Sequence, residues 1–175
     1  MARPQLEEAN LHGTAHLAPR SDLRLAQMVG RSFRCGIHAR REKSDIAWSF
    51  AWQELAGVLG PESADRLFKS LGGFVASVDA AAARKIEVLP KGCPGLCRDE
   101  CLAVSIVAAS QLGACPALRA CIFVLIENGE VEPCVRSAAE FSHALREAGH
   151  TLPSDVVCNA LALMPDGAGR MHPNA

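Results

Sequence analysis

Tyrosine is absent from the 175 residues, and aromatic residues of every kind make up only 5%. Strands draw heavily on aromatic and β-branched side chains, so a chain this poor in rings and rich in alanine leans towards helix. Neither sign of charge prevails: 18 Lys and Arg stand against 19 Asp and Glu, a formal net charge of −1. Phosphate recognition normally leaves a strongly basic balance, so nucleic acid is not an expected partner. The motifs that announce a reaction are missing too. There is no P-loop, no G-x-G-x-x-G, no G-x-S-x-G and no H-E-x-x-H. Carboxylates are scattered, which leaves no acid–base pair to assign and keeps the question of an enzyme open. Residues 1–20 hold Glu7, Glu8, His12 and His16 and lack the apolar run of a secretory leader. A cytoplasmic, reducing setting is therefore expected, in which structural disulfides are disfavoured. The longest uncharged stretch, 101–118, is interrupted by Ser105, Ser110, Gln111, Gly113 and Pro116. It reads as two buried helices and not as a membrane span.

What the sequence does contain is enough apolar material for one domain. The apolar share is 49% and the charged share 21%, close to globular averages. The expected architecture is an all-α bundle of six to seven helices over 21–164, flanked by loose tails at 1–20 and 165–175. Ser21 can cap a first helix that presents Leu25, Met28 and Val29 and ends near Phe33. Ser44 can cap a second, with Trp48, Ala51, Trp52, Leu55, Val58 and Leu59 at three–four spacing. Gly60 ends it and Pro61 opens a third, whose stripe runs Ala64, Leu67, Phe68, Leu71, Val75, Val78. Gly72 and Gly73 inside that stripe imply a weak point or a very close helix neighbour. A central helix is expected over 98–112, opened by Asp99 and Glu100, which suit the positive end of the helix dipole. Residues 116–127 follow as helix; a hairpin closed by Asn128-Gly129 is the weaker reading, because Pro133 spoils its second strand. Pro133 opens a helix to Ala148, and Ser154 a short one stopped by Pro165.

The count that sets this chain apart is 8 Cys. Cys93, Cys97 and Cys101 follow C-x3-C-x3-C. Residues four apart on a helix project to one side, and the Pro-Gly turn can fold Cys93 back towards the other two. Cys97 stands at a helix start, where free N–H groups and the dipole lower a thiol pKa, with Lys91 and Arg98 acting in the same sense. If short loops make successive helices antiparallel, Cys134 arrives at the same end of the bundle. Cys93, Cys97, Cys101 and Cys134 are thus the candidate ligands for zinc or an iron–sulfur cluster in an accessory or regulatory protein. Two readings compete with it. The thiols can be packing residues of a metal-free helical interaction module, or Cys93 or Cys97 can pair with a neighbour on oxidation as a redox sensor. Cys93-Pro94 and Cys115-Pro116 resemble the Cys-Pro dipeptide of haem-responsive regulators, in which the thiolate ligates iron; a proline at a helix start accounts for both equally.

Other features are judged against plainer alternatives. Arg31, Arg34, Arg40, Arg41 and Lys43 surround Cys35 and His38 and can clamp an anion or an acidic partner, but read more simply as a solvated loop. His143 lies off the apolar face of its helix, and Trp48 and Trp52 read as core and not as a cofactor shelf. The partner expected is another protein, reached through a helix groove or the basic segment, or a second copy through the Trp48 helix.

Overall fold

The computed structural model describes residues 20–158. Seven helices, and no strand, occur among the described residues: α1 (Arg20–Glu42), α2 (Asp45–Leu59), α3 (Pro61–Ala81), α4 (Arg98–Gln111), α5 (Cys115–Ile126), α6 (Glu132–Glu147) and α7 (Asp155–Cys158). The all-α bundle is as expected, and 116–127 is helical. The chain leaves α5 through a left-handed Glu127 (φ 51°), one residue before the Asn-Gly pair that a hairpin would have used. The expected tails, and the continuation of the last helix to Pro165, lie outside the described residues, apart from Arg20, which opens α1.

The core is built on α4, buried from Asp99 to Ala109 except for the half-buried Leu102. It packs against α1, α5, α6 and α7, while α3 lies between α2 and α6. Phe33, Phe74 and Phe141 line up across α1, α3 and α6, with ring centroids 5.7 and 6.2 Å apart, a spacing at which rings attract beyond simple burial. The end of α4 is fixed by Gln111, whose amide donates to the Ser142 and His150 carbonyls and accepts from the Leu152 N–H.

Two expectations about α1 are corrected. It does not end near Phe33 but continues to Glu42, so that the basic segment is helix up to Glu42 and not a solvated loop, with Lys43 in the turn that follows. The reason is that Phe33, Arg34, Cys35, Ile37 and Ala39 are all buried, so tertiary packing carries the helix past its exposed periodicity. Gly30 and Gly36, within this helix, are points of close approach. A Cβ on Gly36 would stand 2.8 Å from Val75, and one on Gly30 would stand 2.6 Å from Leu96. Ser44 then caps α2, accepting a hydrogen bond from the Ala47 N–H.

Between α3 and α4 the segment 82–97 has no regular structure and runs back across α1 as a strap. Its backbone polar groups still need partners. Charged side chains from the flanking helices supply them.

Candidate functional site

Asp99 and Glu100, expected only to favour the dipole of α4, are buried at 2% and 0% exposure. Glu100 accepts from Arg34 Nε at 2.7 Å and Nη2 at 2.9 Å, from the Leu89 N–H at 2.9 Å and from the Cys97 N–H at 2.8 Å. Asp99 holds Arg84 bidentately at 2.7 Å and accepts the Glu87 N–H. Arg34 also donates to the carbonyls of Cys93 and Gly95, and Arg31 to that of Pro94. Arg41 and His38 bond the carbonyls of Ile86 and Leu89, and Arg40 pairs with Asp79. The basic run is therefore largely spent inside the molecule, stapling the strap to α1. Burial works against the charge on Arg34, but the bond and charge of Glu100 outweigh it and hold the guanidinium above its usual value.

The thiol chemistry at the start of α4 is not as expected. Arg84 joins Asp99 at the start of α4 to Glu127 just past the end of α5, 3.0 Å away, and α6 begins five residues later. Cys97 and Cys101 stand at the start of α4 and Cys134 in the first turn of α6. Their side chains have different neighbours. Cys93 lines a small cavity of about 40 Å³ with Arg31, Arg34, Cys35 and Glu54. Cys97 opens on a separate cleft that includes His38, Arg41 and Lys85, its thiol donating to the Glu87 carbonyl at 3.2 Å. Cys101 is buried one turn further on, and Cys134 is buried against Ser77 of α3. Among the described residues, no group of three or more His, Cys, Asp or Glu side chains is gathered as a metal ion would need.

Nor are the thiols of Cys97, Cys101 and Cys134 activated. Burial is the main cause that pushes Cys97 up to about 11, with the charge of Glu100 opposing thiolate formation against the helix-start hydrogen bonds. Burial, Cys97 and Glu100 push Cys101 to about 12. Burial likewise raises Cys35 to about 11, and raises Cys121 and Cys134. The expected lowering of the Cys97 pKa at the α4 start is thus reversed, because desolvation of the thiolate and two adjacent carboxylates exceed the effect of the helix end. Cys35 is buried, while His38 meets Leu89 and Glu42. Of the two Cys-Pro dipeptides, Cys115-Pro116 opens α5; Cys93-Pro94 lies in the strap turn. His143 is exposed, as expected.

A larger concave surface lies elsewhere, between α2 and α3. Trp48, Trp52 and Phe68 wall a groove of about 720 Å³, with Gly72 on its floor and Asp45, Ser49, Gln53 and Lys69 at its edges. Trp48 meets Phe68 edge-on at 5.6 Å, and Trp52 Nε1 donates to Asp65 at 2.7 Å. Both tryptophans are half-buried and not core residues. The inward face of α2 is made of Ala47, Ala51 and Leu55, which leaves the two tryptophans on the flank that faces α3. On its other flank, towards α1, the same helix exposes Ile46 at 73% and Phe50 at 43%. The sequence signal for this was available: Ile46 and Phe50 are off the Ala47–Ala51–Leu55 row, so α2 has more apolar faces than one core contact can cover.

No protein family, curated protein or solved structure matches this chain. No helix among the described residues is long and apolar enough to cross a membrane.

Proposed function

We propose that this chain is a helical protein-interaction module that receives the apolar face of a partner's helix in the α2–α3 groove. The observation that carries the reading is the placement of both tryptophans of the chain, with Phe68, at one open surface. Large apolar patches left in water are costly, and Trp-lined concavities supply the anchors of protein interfaces. A groove between two antiparallel helices accepts a third helix through the same ridge-and-groove fit that packs helices in a core. Cys35, Cys101 and Cys134 then serve as small, inert packing residues, in keeping with their burial and raised pKa values.

A photo-reactive side chain at Ser49, and separately at Glu140 on the outer face of α6, tests this in cells. Crosslinks at Ser49 that mass spectrometry maps to the apolar face of one polypeptide's helix are expected. Equal labelling from both positions, or none from Ser49, overturns the reading. The thiolate–metal alternative through Cys93, Cys97, Cys101 and Cys134 keeps one supporting observation: Cys97 and Cys101 are neighbours, and Cys97 shares its cleft with His38. Stoichiometric zinc, or iron with sulfide, in anaerobically purified protein would restore that alternative; on the docking reading neither is expected.

A further inference from the structure

We infer that Cys93 is oxidised by hydroperoxides and resolved by Cys35, which fastens the strap to α1 through a disulfide; nothing in this depends on the α2–α3 groove. Cys35 is buried on α1, and Cys93 is half-buried in the strap turn. Both line the same cavity of about 40 Å³, hardly larger than one water's share of the liquid. The two segments are already held side by side. Arg34, the neighbour of Cys35 on α1, donates to the Cys93 carbonyl at 2.7 Å. A disulfide needs its α-carbons within about 7 Å. Cys93 stands in a turn without regular structure, so the adjustment that brings the sulfurs together falls there and not on the helix. No other thiol lines this cavity: Cys97 opens on a different cleft, and Cys134 lies against Ser77.

The cavity's other walls suit the step. Arg31, Arg34 and Glu54 line it with the two cysteines. The charges of both sulfurs act on the Arg34 guanidinium, so one cation steadies negative charge on either. Arg31 Nε is buried without a hydrogen-bond partner, a donor left free for the oxygen of a sulfenic acid. Attack of the Cys93 sulfur on a hydroperoxide breaks the O–O bond, leaves Cys93 as sulfenic acid and releases water or an alcohol. The Cys35 sulfur then displaces the sulfenic oxygen. The S–S bond forms, the S–O bond breaks, and the oxygen leaves as water with the Cys35 proton. Two thiols are oxidised and one hydroperoxide is reduced. Burial, which raises the Cys35 thiol to about 11, keeps it inert to reagents in solvent and reserves it for the sulfenic acid beside it.

Hydrogen peroxide added to the reduced full chain, followed by peptide mass spectrometry without reductant, tests this. The expected product has lost two hydrogens and joins the Cys35 peptide to the Cys93 peptide, and dithiothreitol restores both thiols. Cys97→Ser should form the same bridge, which separates Cys93 from Cys97 where one peptide carries both. In Cys35→Ala the sulfenic acid has no resolving thiol, so dimedone should capture Cys93 there and far less in the unaltered chain. Circular dichroism confirms that each variant folds. Should a variant fail to fold, fragmentation of the joined peptides from the unaltered chain still identifies the bonded sulfurs. A bridge from Cys93 to Cys97 or Cys101 overturns the inference. So does Cys93 carried on to sulfinic acid while Cys35 stays reduced, or Cys93 left untouched when the exposed Cys115 is oxidised.

Discussion

At the scale of single residues, the decisive contest is between helix-end electrostatics and burial at the thiols. A helix start favours thiolate, yet Cys97 is held protonated because removing a thiolate from water costs more than the N–H groups return. Cys115 is exposed, whereas Cys35, Cys101 and Cys134 are buried and Cys93, Cys97 and Cys121 are half-buried. Among these seven, maleimide added to the native protein should therefore label Cys115 first and Cys101 and Cys134 last, in an order read by peptide mass spectrometry. Rapid labelling of Cys97 at neutral pH would contradict its raised pKa. The same shifts make stability depend on alkaline pH. A thiol that titrates near 9 when unfolded and at about 11 or 12 when folded favours the native state fully at neutral pH. As pH rises past 9 the unfolded chain releases the proton first, so stability falls until the folded thiol titrates as well. The urea midpoint should thus decline between about pH 9 and 11, and Cys101→Ala should make that decline shallower. Cys97 and Cys101 are one turn apart, and the charge of Cys97 opposes ionisation of Cys101. Sequence spacing could not show that the carboxylates following Cys97 turn inwards with it, since periodicity does not distinguish a first-turn acid that caps from one that is buried.

At the scale of elements, the molecule depends on a segment with no secondary structure of its own. The 82–97 strap is positioned by Glu100 and Asp99 on α4 and by the arginines of α1. Replacing Glu100 by Ala would leave Arg34 charged, buried and unpaired, and would strip acceptors from the Leu89 and Cys97 N–H groups. A loss of about 3–5 kcal/mol is expected on urea denaturation, with faster amide exchange at Leu89 and Cys97. Removal of Lys43, which has no ion pair among the described residues, should cost little by comparison. Gly36→Ala tests the other device that seats α1. The added methyl would stand 2.8 Å from Val75 and 3.3 Å from Trp48, an overpacking that costs about 1–3 kcal/mol even though alanine is the better helix former. Helix number and order were legible from capping residues, prolines and apolar spacing. The reach of α1 was not, because its second half is charged in sequence and becomes interior only when the strap is laid over it. Arg34 carries no local mark of burial, since its partner is 66 residues away.

At the scale of the whole molecule, the arrangement divides into a centre and a flank. Helix α4 touches α1, α5, α6 and α7, whereas α2 and its two tryptophans pack on α1 and α3. The groove is consequently held by a part of the fold that does not itself contain α4. Whether the flank melts with the centre depends on α1 and α3, which face both; their shared aromatic row of Phe33, Phe74 and Phe141 argues that they transmit unfolding as a unit. Tryptophan emission then becomes a remote reporter of the centre. Ile106→Ala, at a fully buried position of α4, should destabilise the protein by about 2–5 kcal/mol through lost burial and a residual cavity. If the bundle is one cooperative body, the denaturation curve from Trp48 and Trp52 fluorescence should shift by the same amount as the curve from far-ultraviolet circular dichroism. Were only the dichroism curve to move, with the fluorescence transition left in place, α2 and α3 would form a separately stable unit. The docking surface would then owe its shape to two helices alone, since a groove formed by a cooperative bundle loses its walls whenever the distant α4 core comes apart.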